Sequence, residues 1–395
     1  MRWIALKMLM GDKAKFYGIV LGVTFAALLI TQQGSIFCGL MCRTAAQVTD
    51  IQGADLWVMD PNVRFIDDVK PMQDNALYRV RGVEGVTWAV PLYKGNARAK
   101  VNTVGHSGDV EKIIEQVILL GLDDASLVGA PRKLLVGNLA DLRRPDAVII
   151  DRIGLRKVFP GQGGEKGIAL ERFLGREFEM NDRRAVIVGV CEATRTFQSN
   201  AVVYTTYSRA KQFVPRERRL LSYVLAKTEP DVDPKTVADR ITAETGLGAA
   251  SSDQFFWMTI DYYLKYTGIP INFGITVFLG FLVGTAIAGQ TFYNFTLDNL
   301  KQFGALKAMG ATNVQLLFMI VLQALVVGLL GYGIGVGLAA WFGLFNLSRD
   351  TELAYYTPWQ LPLLTFSAVT LICVLVSLLS IRKVMVLEPA VVFRG

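Results

Sequence analysis

The sequence predicts an α+β membrane protein, with four transmembrane helices and a large mixed α/β extracytoplasmic domain between the first and second. Three observations predict it. Four apolar runs without a charge, 16–42, 266–297, 308–348 and 353–381, each exceed the ~20 residues needed to cross ~30 Å of hydrocarbon. The long segment between the first two runs carries short β-rich stretches divided by turns. Lys and Arg gather on one side of the spans. A hydrophobic fraction of 52% over 395 residues suits spans combined with a soluble part.

Residues 1–15 read as an amphipathic cytoplasmic segment carrying Arg2, Lys7, Lys13 and Lys15. The first span is expected over 16–42; its apolar stretch is longer than the ~7–15 residues of a cleaved signal core. The outer domain follows over 43–265, then a second span over 266–297 and a short cytoplasmic helix over 298–311. The third span is placed at 312–343, a short outer loop at 344–358, the fourth span at 359–381 and a cytoplasmic tail at 382–395. Nine basic residues lie on the side assigned to the cytoplasm, against Asp12, Asp298 and Glu388. Residues 43–268 hold 31 basic and 29 acidic side chains, so the net charge of +7 belongs to the cytoplasmic ends. That distribution signals topology and gives no reason to expect nucleic acid as a partner.

Within the outer domain, "ADLWVMD", "GVEGVTWAVPLY", "DAVIID", "RRAVIVGV" and "NAVVYTTY" read as strands. Helices are expected over 109–119 and 207–213. Residues 221–246 form a β–turn–α unit: a strand at 221–226, the "EPDVDP" break, and a helix over 235–245 ended by Gly246. Such a unit is similar to the βαβ lobes of periplasmic porter domains. "GQGGEKG", 161–167, lacks the spacing of a phosphate-binding loop and reads as a plain loop. The aromatic stretch 253–268 runs into the second span and suits a helix crossing the outer interface, either continuous with the span so as to transmit motion or serving as a simple anchor.

Catalytic chemistry is missing. His106 is the only histidine, and Cys38, Cys42, Cys191 and Cys373 form neither a disulfide framework nor a metal cluster. No nucleophile elbow occurs, so no metal, cofactor or catalytic residue is expected on this chain. The span interiors carry no Asp, Glu or His of the kind that ion-coupled carriers place at membrane depth. Their polar groups are Gln32, Gln33, Thr276, Gln290 and Gln323, readable as interhelical glue or as a polar seam between two copies. Gly18 with Gly22, Gly280 with Gly284, Gly331 with Gly335, and Gly333 with Gly337 have the spacing of close helix packing or dimerisation.

The stretch "LDNLKQFGALKAMGATNVQ", 297–315, lies between the second and third spans and still reads as helix. Asp298 is placed as its N-cap and Gly310 as its C′ residue, with Leu300, Phe303 and Leu306 on one face. Thr312 and Gln315 fit a capping box for the third span. The apolar face needs a partner, either a membrane surface or a cytoplasmic protein.

"QFGALKAMGAT" resembles the coupling segment of FtsX/MacB-type ABC transporter permeases, closest to the DevC branch, and "RKVMVLEPAVVFRG" resembles their C-terminal pattern. The resemblance implies a bacterial inner-membrane homodimer with both termini cytoplasmic. Each copy would pair with a cytoplasmic ABC ATPase subunit that binds ATP and Mg. The coupling residues would be Gln302, Phe303, Gly304, Leu306, Lys307, Ala308, Met309 and Gly310. Gln302 departs from the acid common there, so any ion pair at that point is missing. The resemblance further implies export of a lipid, glycolipid or other amphiphile, with a periplasmic adaptor and an outer-membrane duct as further partners. The alternative is an FtsX-like transmitter that moves nothing and regulates periplasmic proteins.

Overall fold

The structure is a computed structural model that describes residues 2–104, 110–160, 169–349 and 352–385. His106, the 161–167 loop and the chain beyond 385 lie outside the described residues. In chain order the elements begin with α1 (Arg2–Gly11), α2 (Lys13–Thr44), α3 (Ala46–Asp50), β1 (Leu56–Met59), α4 (Asn75–Arg81), β2 (Val86–Val104) and β3 (Val110–Leu122). Next come β4 (Lys133–Gly137), β5 (Ala147–Asp151), α5 (Arg152–Val158), β6 (Glu177–Met180), β7 (Arg183–Glu192), β8 (Ala201–Thr206) and α6 (Tyr207–Phe213). The last group is β9 (Tyr223–Thr228), α7 (Pro234–Thr245), β10 (Gly248–Ser251), α8 (Ser252–Tyr266), α9 (Ile269–Asp298), α10 (Leu300–Ala308), α11 (Asn313–Ser348) and α12 (Gln360–Met385). They form two compact units, residues 1–40 with 268–395, and residues 41–267.

In the first unit, α2, α9, α11 and the Gln360–Leu378 part of α12 are long and apolar enough to cross a membrane. Glycines decide how α2 packs. A Cβ on Gly22 would lie 2.9 Å from Ile287 Cγ2 and 3.1 Å from the Ala288 nitrogen, on α9. Gly18 and Gly280 similarly face Thr291 and Leu29, and Gly284 meets Ala26 and the Gly22 carbonyl. On α11, a Cβ at Gly331 would come 2.7 Å from Val23 Cγ1, and one at Gly335 2.8 Å from the Thr24 carbonyl oxygen. Thus all six of these glycines serve contacts inside one chain, whereas Gly333 and Gly337 meet nothing. Among the amides, Gln323 donates Nε2 to the Ala5 carbonyl at 2.8 Å, tying α11 to α1. Thr31 and Thr365 hydroxyls pair at 3.0 Å between α2 and α12. Tyr355 donates its hydroxyl to the Ala339 carbonyl at 2.6 Å, seating the α11–α12 connection.

The second unit has two sheet regions that share β2. The first has strand order β10-β1-β9-β2, all neighbours antiparallel, with α4 and α7 joining β1 to β2 and β9 to β10. This is a split βαβ arrangement. Val80, Val237 and Ile241 from the two helices cover Val58, Ala89, Val224 and Ala226. Asp233 caps α7, Pro234 opens it and Gly246 closes it with φ +67°. The expected β–turn–α unit is therefore one half of a two-helix lobe.

Residues 93–222 are inserted between its second and third strands. Here β2-β3-β8-β5-β7 is rejoined by β6, which pairs with both β2 and β7 and closes a ring. Ala97, Ala99, Val117, Leu119, Val148, Ile150, Ala185 and Ile187 fill it, together with Phe159 and Phe213. Of the helix expected at 109–119, residues 110–119 are instead part of β3, in unbroken register with β2 from Val110 to Gly121. The reason lies in burial on both faces. Val117 and Leu119 point into the ring, while Ile118 and Leu120 join the neighbouring cluster, so this second half of the strand shows no polar alternation.

The aromatic helix is not continuous with the second span. One face of α8 belongs to the outer domain, where Phe255 packs on Trp57 and Tyr223 with ring centroids 5.3 and 5.9 Å apart. The helix ends at Tyr266, and α9 starts afresh at Ile269. Pro270 lacks the N–H that a continuous helix requires, so α8 and α9 are separate helices.

Asp151 is fully buried where β5 meets α5. It accepts from Gly154 and Val202 nitrogens on Oδ1 at 3.0 and 2.8 Å, and from Ile153 on Oδ2 at 3.2 Å. Burial pushes it up to about 6, against the backbone donors that favour the charged form. The folded domain therefore holds this proton to higher pH than the unfolded chain does. This residue's contribution to stability weakens as pH rises from about 4 to about 6. Replacing Asp151 by Asn is expected to flatten that part of the stability–pH profile in thermal unfolding. At pH 7 the same change should destabilise by about 1–3 kcal/mol, because the Ile153 N–H loses its acceptor. Separately, Gly335→Val should destabilise the detergent-solubilised protein by about 1–3 kcal/mol, since the clash is with backbone, whereas Gly337→Val should leave the melting temperature unchanged.

Candidate functional site

The helix between the second and third spans is α10. The chain breaks at Asn299, which closes α9 and opens α10; its Nδ2 donates to the Phe295 carbonyl at 2.8 Å. Asp298 is thus the last residue of α9, not the N-cap of α10. Its carboxylate pairs with the Lys15 ammonium at the start of α2, and Asp12 also contacts Lys15 at 3.0 Å. The pair holds α2 to α9 beside the helix break, and being well exposed on the Asp298 side it contributes little to stability by itself.

The far end of α10 closes as its sequence suggests. Gly310 has φ +95°, the Ala311 nitrogen donates to the Leu306 carbonyl at 3.0 Å, and the Gly310 nitrogen donates to the Lys307 carbonyl at 3.1 Å. These two bonds make a Schellman turn, whose positive φ favours glycine. Thr312 and Gln315 then form the reciprocal capping box of α11, at 3.3 and 3.0 Å. A nine-residue helix fixed at both ends cannot slide or fray freely.

The faces of α10 are the main correction to the sequence reading. Phe303 is fully buried, and Leu306 and Gly304 nearly so. Phe303 and Leu306 belong to one cluster with Ala5, Leu9, Phe295, Leu316 and Met319 of the same chain. The apolar face that was expected to need an outside partner is satisfied within the chain. Leu300 packs at its margin. Lys301, Gln302, Ala305, Ala308, Met309 and Gly310 are exposed, and Lys307 is half-buried. Met309 is 75% exposed and Val314, one turn into the next element, is 72% exposed. Val314 is the residue the sequence reading missed, because it falls inside the apolar run and reads as part of the span.

Among the described residues, no three His, Cys, Asp or Glu side chains are grouped to hold a metal. Cys191 is fully buried, and burial pushes its thiol well above its ordinary value, which leaves it protonated and unreactive.

Two family models match. Residues 18–244 match the MacB-like periplasmic core domain, more than half of the chain. Residues 252–389 match the FtsX-like permease C-terminal domain. The chain belongs to the FtsX/MacB-type permeases. Such permeases are membrane components of ABC transporters, work with a cytoplasmic ABC ATPase and are not themselves ATPases. Among solved structures, this permease is similar to the extracellular domain of the noncanonic ABC-type transporter YknZ from Gram-positive bacteria. The two are 15% identical, with a TM-score of 0.35, over 50% of this chain and 98% of that one. It is likewise similar to the periplasmic region of MacB from Actinobacillus actinomycetemcomitans, at 15% identity and TM-score 0.36, over 56% of this chain and 96% of that one. No curated protein matches the permease sequence.

Proposed function

We propose that this permease is the membrane half of an ATP-driven exporter of a lipid, glycolipid or other amphiphile, and that α10 is where force enters. The observation that carries the reading is the division of α10. One face is sunk in the chain's own core, and the other presents Gln302, Ala305, Ala308 and Met309 outward. A helix so arranged can receive a push on its open face and pass it to the spans through Phe303. The docking surface is then Ala305, Ala308, Met309 and Val314 with Lys301 and Gln302, and Phe303, Gly304 and Leu306 act as the seat behind it.

ATP and Mg bind on the ATPase subunit, and its closure moves α10. The clustering of Lys and Arg at 1–15, 298–311 and 382–395 supports placing these segments on the cytoplasmic side of a bacterial inner membrane. Two copies pair through α9. Gln290 and Asn294 stand one turn apart on its exposed face, and a polar pair facing lipid gains by hydrogen-bonding a second copy. The groove beside Gln290, about 600 Å³ and lined by Phe278, Phe281, Leu282 and Tyr293, has room for side chains of that copy. A periplasmic adaptor and an outer-membrane duct complete the export path in this reading.

The test separates docking from folding. Met309→Asp with Ala305→Asp should reduce co-purification with the cognate ATPase at least about tenfold while the melting temperature stays unchanged. Phe303→Ala should instead lower stability by about 3–5 kcal/mol. Unchanged pairing in the double variant would reject the docking surface. In vesicles holding both subunits, ATP-dependent movement of a labelled lipid supports export; ATP hydrolysis without flux supports the transmitter reading.

A further inference from the structure

The outer domain carries a second feature that force transmission does not use. A cleft of about 890 Å³ opens where the middle of β2 meets the β6–β7 turn and the segment after α6. Its volume lies in the range of small-ligand sites, ~300–1,000 Å³, which favours a compact ligand over a flat protein surface. Arg98, Lys100, Arg183, Arg216, Arg218 and Arg219 all line it. Asp182 is the one carboxylate in the lining, and it is already paired with Lys100. Glu217 lies between two of the arginines in sequence but does not line the cleft. Among the described residues, Arg98, Arg183, Arg216 and Arg218 have no carboxylate within 4 Å.

The cleft is also built. Asn181 sits at the turn with φ +48°, next to Asp182 with φ +62°. Its Oδ1 accepts from the Arg98 nitrogen and its Nδ2 donates to the Phe213 carbonyl, both at 2.9 Å. One side chain thus fixes the three walls together. Arg219 is half-buried and donates Nε to the Val214 carbonyl at 3.3 Å, which holds its guanidinium toward the cleft wall. Arg218 lies near Tyr93, whose hydroxyl burial pushes upward and whose ionised form that guanidinium favours. Gln116, Gln212 and Asn96 add neutral donors. Ile114, just over half exposed, supplies an apolar spot at the rim.

Guanidinium groups stay charged at any physiological pH and match the paired oxygens of phosphate and carboxylate. Arg98, Arg183, Arg216 and Arg218 line one cleft with no carboxylate beside them, so a dianion bound there would be attracted by several positive charges. We propose that this cleft is a binding site for an oxyanion ligand bearing at least two negative charges, either a phosphorylated solute or the headgroup of an anionic lipid. The site requires neither the ATPase nor α10, so its failure and that of the force-entry reading are independent.

The experiment uses the full chain in detergent, with binding read by microscale thermophoresis in 50 mM and 500 mM salt. The probes are inorganic pyrophosphate, dihexanoyl phosphatidic acid, and dihexanoyl phosphatidylcholine as the zwitterionic control. Pyrophosphate or phosphatidic acid should bind, and binding should weaken at high salt. Arg183→Gln with Arg216→Gln should weaken it at least about tenfold without shifting the melting temperature. Equal affinity for the two anions identifies a soluble or headgroup phosphate as the recognised unit; tighter phosphatidic acid binding identifies a lipid and assigns Ile114 to its chain. The proposal is overturned if neither anion binds, if the double variant binds as well as the wild type, if phosphatidylcholine binds equally, or if only an added polyglutamate binds.

Discussion

The burial of Phe303 is the contact on which the inter-span helix depends. Nine residues are too few to stay helical in water, because a short helix forms few hydrogen bonds for the turns it must order. What holds α10 is the removal of Phe303 and Leu306 from solvent by Ala5, Leu9, Phe295, Leu316 and Met319. That burial has a geometric consequence. The helix cannot move without moving the first turns of α11, the end of α9 and the lead-in α1. A lever attached in this way transmits displacement, whereas one held only by flexible connections would absorb it.

The seat is itself set by how tightly α2 is gripped. Between helices in lipid there is no hydrophobic gain to drive association, so van der Waals contact and hydrogen bonds decide. Gly22 of α2 and Gly335 of α11 let the helices approach until backbone atoms nearly touch, at Ala288 of α9 on one side and Thr24 of α2 on the other. Ile19, Val20 and Val23 of α2 then join the same cluster that holds Phe303. The Lys15–Asp298 pair closes the end of this arrangement. Close packing and helix seating are one continuous set of contacts.

Much of this was legible in the sequence, and the failures have physical causes. The spans, the Gly310 turn and the Thr312–Gln315 capping box follow from local patterns, because length, glycine conformation and capping are local properties. The inward direction of Phe303 was not legible. A pattern at i, i+3, i+6 states that a helix has an apolar face but not which neighbour takes it, and α1 lies about 300 residues away in sequence. Strand β3 was misread because Val117, Ile118, Leu119 and Leu120 are buried on both sides, which removes the alternation that marks a strand. The break before α9 was visible in Pro270. The basic cleft could not be read at all, since its arginines come from β2, the β6–β7 turn and residues 216–219, which only tertiary folding assembles.

Strand β2 carries the final step. Its first half, Val86 to Leu92, pairs with β9 in the split βαβ lobe, and its second half, Tyr93 to Val104, pairs with β3 in the closed ring. No loop separates the halves. At the junction the buried Lys94 ammonium is pushed down by burial, yet it is paired with Asp67, and its backbone N–H donates to Ser222 at 3.0 Å. Removing Asp67 would leave the buried Lys94 ammonium uncompensated, so this pair ties the junction to residue 67. The ring and the lobe consequently share one continuous member, and Arg98 and Lys100 of the cleft lie on that member only a few residues beyond Lys94. Any anion that draws the cleft walls together acts directly on the strand that both sheets use, with no flexible segment in between to dissipate the change.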